Sequence, residues 1–320
     1  MRGVRTEPAA AEPAAPGPFP GDGLIFCDPR FHDLNGVPAE RRWRYEHLRD
    51  GRLVGVLEGV LTDGVLVSGH SAPFGGPDLV RTDPPVEDVV GLVAGALTAM
   101  REAGVEAVRV RARPAVYSAA EPLVEFALLD QGFTVEHCDL NMHVDLTGVA
   151  TEDDVLALLK QRKRRYVRAA LRAPVELVEV TGGEDLTTLH GIIAGNRLAK
   201  GRPLPLGRDY LDRARSAFPD RVRMMLLRVD GQAVAGAVVY RVLDGIDQVV
   251  HWADDPAAES SPMELLAYLV YADCLRRGAR LVDLGPASDH EGNLNAGLAD
   301  FKRAVGAVPD TRKVFTATLA

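Results

Sequence analysis

The chain has 320 residues, 47% of them hydrophobic and 26% charged, with a formal net charge of −8. That length is more than one hydrophobic core ordinarily organises, so two domains are expected, and the acidic balance repels DNA from the average surface. No window approaches the ~20 apolar residues of a membrane helix, and the first twenty residues lack the apolar core of a secretory signal, so a cytoplasmic monomer with no membrane partner is expected.

Cys27, Cys138 and Cys274 stand far apart, and the eight histidines show no ligand spacing. Neither a disulfide framework nor a metal site is suggested. Residues 1–22, rich in Ala, Pro and Glu, read as a disordered tail.

In chain order, three short runs with strand character come first: Arg42–Arg49, Arg52–Leu61 and Val65–Ser68. Asp50-Gly51 and Asp63-Gly64 separate them, and Asp-Gly supplies the positive φ that tight hairpins require. A loop over His70–Pro85 precedes an amphipathic helix from about Val86 to Ala103, with Gly104 at its C-cap. A strand at Ala107–Ala112, a helix at about Ala119–Asp130 and a long strand-like run, Phe133–Leu146, complete the first half.

After two extra helical stretches the order returns. Strands at Arg223–Arg228, Ala233–Arg241 and Gln248–Trp252 are separated by Asp230-Gly231 and Asp244-Gly245. A helix over about Pro262–Arg277, a strand at Leu281–Leu284, a helix near Leu294–Val305 and a strand near Lys313–Thr318 follow. The expectation is an α/β fold with mixed sheets, in which residues 23–149 and 150–320 form two tandem domains. Each reads β-β-β-α-β-α-β.

Local sequences match this order. His70-Ser71-Ala72-Pro73-Phe74-Gly75-Gly76-Pro77, Arg113-Pro114-Ala115-Val116-Tyr117, Arg164-Arg165-Tyr166-Val167-Arg168-Ala169-Ala170 and Asp283-Leu284-Gly285 fall at characteristic places. So do Gly297-Leu298, Phe301-Lys302-Arg303 and Gly306-Ala307. Together they resemble the FemAB family, whose members carry two domains of the GNAT acetyltransferase fold. The long coiled-coil insertion of the peptidoglycan-bridge enzymes has no counterpart here. The resemblance implies transfer of an aminoacyl or acyl group from an activated carrier to an amine-bearing small molecule. It implies no permanently bound cofactor; aminoacyl-tRNA, contacted at its acceptor end, or acyl-CoA would serve as co-substrate. The acceptor would lie in the cleft between domains. A catalytically inert tandem-GNAT binding module is the reading from another class.

Which carrier is used depends on particular residues. A GNAT loop after the third strand normally cradles a pyrophosphate with glycine backbone N–H groups at a helix N-terminus. In the second half it runs from Ala253 to Ser261 with Asp254, Asp255 and Glu259 and no glycine, which disfavours coenzyme A. Lys160, Arg162, Lys163, Arg164, Arg165, Arg168 and Arg172 form a run of cations with no acid between them. Such runs are usually solvated helix faces, yet i,i+4 repulsion makes this one costly unless a polyanion or neighbouring carboxylates relieve it. Arg164, Arg165 and Arg168 are therefore candidate phosphate contacts, on tRNA or on a nucleotide-linked acceptor, and aminoacyl-tRNA is slightly favoured over acyl-CoA.

The candidate catalytic residues are His251, placed to take a proton from the attacking amine, and Lys302, whose ammonium suits a phosphate or an oxyanion. A packed strand-end histidine and a surface lysine are the plainer alternatives. Ser71, Phe74, Gly75, Gly76, Tyr117, Trp252 and Asp283 complete the candidate substrate-binding set. Tyr117 and Trp252 suit core and pocket equally, and Asp283 suits either a substrate contact or a turn cap.

Overall fold

The computed structural model describes residues 23–201, 204, 206–258, 262–289 and 292–319. The tail over 1–22, and Glu259, Ser260 and Ser261 of the acidic loop, lie outside the described residues. Two compact units emerge, each from several stretches of chain. One comprises Met1–Asn141, Ser288–Leu294 and Asp310–Ala320; the other comprises Met142–Ala287 and Asn295–Pro309.

The first unit opens with α1 (Pro29–Leu34), whose N-cap Asp28 accepts from the Arg30 amide. The meander β1 (Arg42–Arg49), β2 (Arg52–Thr62) and β3 (Val65–Ser68) follows. Both of its turns adopt positive φ at each central residue, 50° and 77° at Asp50-Gly51 and 49° and 78° at Asp63-Gly64. These are the mirror-image turns whose twist matches antiparallel strands. A short strand, β4 (Pro77–Leu79), pairs with β2 inside the stretch expected to be loop. Its three residues are too few for an alternating pattern to register.

Helix α2 (Val86–Glu102), β5 (Ala107–Arg111), α3 (Glu121–Asp130) and β6 (Thr134–Asp145) come next. Leu92, Val93, Ala96 and Met100 of α2 meet Leu57, Leu66, Val108, Val110 and Phe315 in one core cluster. Gly95 allows this approach, because a Cβ there would sit 2.0 Å from the Tyr45 hydroxyl.

The second unit begins with α4 (Glu152–Leu158), started by a reciprocal capping box between Thr151 and Asp154. After α5 (Gln161–Ala170) come β7 (Val175–Glu179), α6 (Gly183–Ala199) and α7 (Arg208–Ala217). The region expected to hold two helical stretches thus carries four helices and an edge strand. The second meander, β8 (Val222–Val229), β9 (Gln232–Leu243) and β10 (Ile246–Asp254), leads into α8 (Met263–Arg276), β11 (Leu281–Pro286), α9 (Ala296–Ala304) and β12 (Val308–Thr318).

Strand order is β1-β2-β3-β5-β12-β6 for the first meander and its partners, and β6-β11-β10-β9-β8-β7 for the second. Both contain the meander-helix-strand-helix core expected from the sequence. The closing strands are exchanged, however. Strand β12, expected to close the second half, pairs antiparallel with β5 of the first through Val314–Thr318. Strand β6 is Thr134–Asn141 in the first unit and Met142–Asp145 in the second. Alternation reveals that a segment is a strand; it does not reveal its neighbour.

Candidate functional site

In the second unit, β10 and β11 run parallel and pair at Ile246–Leu281, Asp247–Val282 and Gln248–Asp283. Pairing with β11 stops there, although β10 continues to Asp254 and β11 to Pro286. On its other edge β10 stays on β9 to Asp254, with a register shift between Val249 and His251. Beyond Gln248 the β11-facing edge of β10 therefore has no strand partner, and the two strands splay. Gln248 and Asp283, both buried, mark the fork: Gln248 Nε2 donates to Asp283 Oδ2 at 3.0 Å, and Asp283 Oδ1 accepts from the Gly285 amide at 2.8 Å.

Successive strand residues project to opposite faces. Trp252 meets Phe301 of α9 edge to face, ring centroids 5.8 Å apart. His251 projects the other way, toward α6, which packs on β9 and β10. Asn196 fastens α6 to β10 by donating to the Asp254 carbonyl at 3.1 Å and to its carboxylate at 2.7 Å. Burial, with a smaller contribution from the Arg197 charge, pushes the His251 pKa down to about 4. The ring is neutral at pH 7, and its Nε2 is buried with no hydrogen-bond partner among the described residues. Arg197 Nε is in the same condition. Such an unmet buried group typically costs about 1–3 kcal/mol, so two in one place mark a functional candidate.

Lys302 is 2% exposed rather than on the surface. Its Nζ donates to the carbonyls of Leu284, Gly285 and Pro286 at 2.7, 2.9 and 2.9 Å. An ammonium has three N–H donors, and all three are used in holding the end of β11. Lys302 thus fixes one wall of the splay and has no N–H to offer an oxyanion or phosphate. His251 and Lys302, expected to serve one reaction, belong to different surroundings: α6 for the first, β11 and α9 for the second.

The described start of the loop after β10 is internally bonded. Asp254 binds Asn196, and the Asp255 carboxylate accepts from the Ala257 amide at 2.9 Å. At the start of α8, Glu264 lies in the first turn and pairs with Lys163 of α5. An acid at that helix terminus opposes a second anion. On α5 itself Arg162, Arg165 and Arg168 are exposed and Arg164 half-buried. Among the described residues these four arginines have no acidic partner, whereas Val167 anchors the helix inward.

The first unit treats its equivalent position differently. Strand β3 stays paired with β5 to its own end, at Ser68–Val110. The loop that follows folds back onto β5, the Gly75 amide donating to the Arg111 carbonyl at 2.8 Å and the Gly76 amide to Ser68 Oγ at 2.7 Å. A Cβ on Gly75 would lie 2.4 Å from the Gly69 nitrogen, which is why glycine stands there. With both amides engaged, the glycines offer no anion cradle. Phe74 is fully buried, its ring 5.2 Å from Tyr117 and 5.3 Å from Phe26. Phe74 and Tyr117 are therefore core rather than an open substrate wall, and Ser71 is an exposed turn residue with φ 55°.

Arg197 was missing from the sequence reading. A single arginine near the end of a helix carries no distinguishing signal until the helix is seen against His251.

Residues 157–303 match the family model for the acetyltransferase (GNAT) domain. The crystal structure of FemX resembles this fold with a TM-score of 0.70 at 14% identity, over 94% of this chain and 93% of that one. L-PGS from Bacillus licheniformis gives 0.56 at 13% identity, over 92% and 87%. A tandem GNAT protein from the clavulanic acid biosynthesis pathway gives 0.52 at 15% identity, over 87% and 83%. No curated protein matches the chain in sequence. The matched segment has the sequence signature of a GNAT acetyltransferase domain, and the fold of the chain is similar to those of FemX and of the tandem GNAT protein. Among the described residues no helix is long and apolar enough to cross a membrane.

Proposed function

We propose that the second unit forms an amide bond, moving an aminoacyl group from aminoacyl-tRNA to an amine-bearing small molecule. The observation that carries the choice of donor is α5, whose Arg162, Arg164, Arg165 and Arg168 lack acidic partners in the same unit as the splayed strands. Unneutralised arginines on one helix suit a phosphate backbone. The bonded start of the loop after β10 and Glu264 at the start of α8 argue against a pyrophosphate at the usual position.

In the reaction, the free amine attacks the acyl carbonyl carbon and the ester bond to the carrier breaks. Neutral His251 Nε2 takes the proton lost by nitrogen and passes it to the departing ribose oxygen, which leaves as the tRNA hydroxyl. The unpaired edge of β10 beyond Gln248 is the natural place for backbone donors to polarise the carbonyl. His251 is the proposed catalytic residue. Lys302, Trp252 and Asp283 are proposed to shape the walls and fork of the pocket.

The second reading, acyl-CoA as donor, is favoured by the match of residues 157–303 to a GNAT acetyltransferase domain. Calorimetry separates the two. Acetyl-CoA is expected to bind with a dissociation constant in the high micromolar range or weaker. Stoichiometric binding near ~1 µM, about −8 kcal/mol, would overturn the tRNA preference and install the CoA reading.

A further inference from the structure

Two buried polar atoms of complementary chemistry lie where α6 packs on β10. His251 Nε2 and Arg197 Nε both lack hydrogen-bond partners among the described residues. They are brought together by fixed elements, because Asn196, the neighbour of Arg197, is bonded to both the carbonyl and the carboxylate of Asp254 on β10. Among the described residues the guanidinium makes no ion pair, although Lys200, on the next turn, is held by Asn196 Oδ1 at 2.8 Å.

A neutral imidazole nitrogen accepts one N–H; a guanidinium Nε–H donates to one oxygen, best to a carboxylate. A ligand that meets both needs carries an amine and a carboxylate a few bonds apart. The bulge between Val249 and His251 aims this face just where β10 leaves β11, so such an amine would stand beside the splay.

We propose that the acceptor is a free α-amino acid, whose carboxylate is held by Arg197 while its amine faces His251 Nε2. Arg197 is then a specificity-determining residue. This inference rests on the reading of the second unit as an amide-forming transferase.

The test measures binding of the free standard L-amino acids to the full chain by calorimetry, with no acyl donor present. Any amino acid that binds is compared with its own amide and with the amine lacking the carboxylate. At least one acid should bind, and its amide and amine should each bind about tenfold more weakly or worse. Arg197→Gln should remove that preference and Arg197→Lys should restore part of it, with melting temperature and circular dichroism as folding controls. The ligand comparison uses the unaltered protein, so it stands even if the variants fold poorly.

The inference is overturned if no amino acid binds, if amides bind as well as acids, or if Arg197→Gln keeps the preference. Transfer to amines with no carboxylate preference would remove this inference and leave the transferase reading. Carboxylate-dependent binding without transfer from either donor would do the reverse.

Discussion

Replacing Arg164, Arg165 and Arg168 together by Gln tests the role of α5 most directly. All three lie within Gln161–Ala170, and none has an acidic partner among the described residues. Arg164 and Arg168 are four apart and repel each other along the helix, so their removal relieves a small unfavourable term. Gln has nearly the same helix propensity as Arg, and Val167, the inward anchor, is untouched. The fold should therefore keep its melting temperature or gain slightly.

Binding should behave quite differently. Each phosphate neutralised on a single strand contributes about 0.7 to the slope of log affinity against log salt, and on duplex about 0.9. Loss of three contacts should flatten the slope by roughly 2 to 3. A salt titration with a tRNA acceptor-stem hairpin ending in a single-stranded CCA measures this, with circular dichroism beside it. Equal affinity and equal slope for the two proteins would show α5 to be a solvated face, and the tRNA donor would go with it.

Lys302→Ala leaves three carbonyls at the end of β11 without their donor. It should destabilise the protein by about 3 kcal/mol or more in urea unfolding, and wild-type stability would contradict the clamp role. Phe74→Ala empties a fully buried aromatic site against Tyr117 and Phe26 and should cost about 3–5 kcal/mol. If stability holds while acceptor affinity falls, Phe74 is a substrate wall after all. His32 and His251 are both pushed down to about 4, by burial first, then by Arg42 and His70 for His32 and by Arg197 for His251. Because the unfolded chain takes up these protons near pH 6.5, stability is complete above that pH and falls as pH drops toward 4, by up to ~3 kcal/mol per histidine. Unfolding curves at pH 7, 5.5 and 4.5 should show a smaller acid loss when both are replaced by Gln; an unchanged loss would place its origin elsewhere.

What the sequence made legible follows local chemistry. The meanders could be read because Asp-Gly pairs fix hairpin turns, and Asp50, Asp63 and Asp230 do take positive φ beside their glycines. Helices α2 and α8 could be read because apolar spacing runs through more than three turns. Strands β4 and β7 could not, being three and five residues long with little alternation. The exchange of β6 and β12 has no local signature at all. For the site, the same limit applies to burial. Lys302 stands in a visible Phe-Lys motif, but its burial depends on carbonyls sixteen to eighteen residues away. Arg197 acquires meaning only through an element more than fifty residues downstream.

The two units put one topology to opposite uses, and the reason lies in a few residues at the same topological position. Where β3 meets β5, Gly69, Gly75 and Gly76 let the following loop fold back and satisfy the strand end with its own amides, and Phe74 fills the interior. Where β10 meets β11, there is no glycine between Trp252 and Ala258 to permit such a return. The strand edge stays unpaired beyond Gln248, and Lys302 holds the neighbouring strand end from beneath through three carbonyls. A strand edge without partners and buried polar atoms without partners are unfavourable in a folded domain unless something else supplies them. The first unit has unmet buried polar atoms too, at His32, Glu125 and Arg312, but its strand end at this position is satisfied. In the second the strand end is open and lies beside His251 and Arg197, and it is this coincidence on which the proposed acyl-transfer site rests.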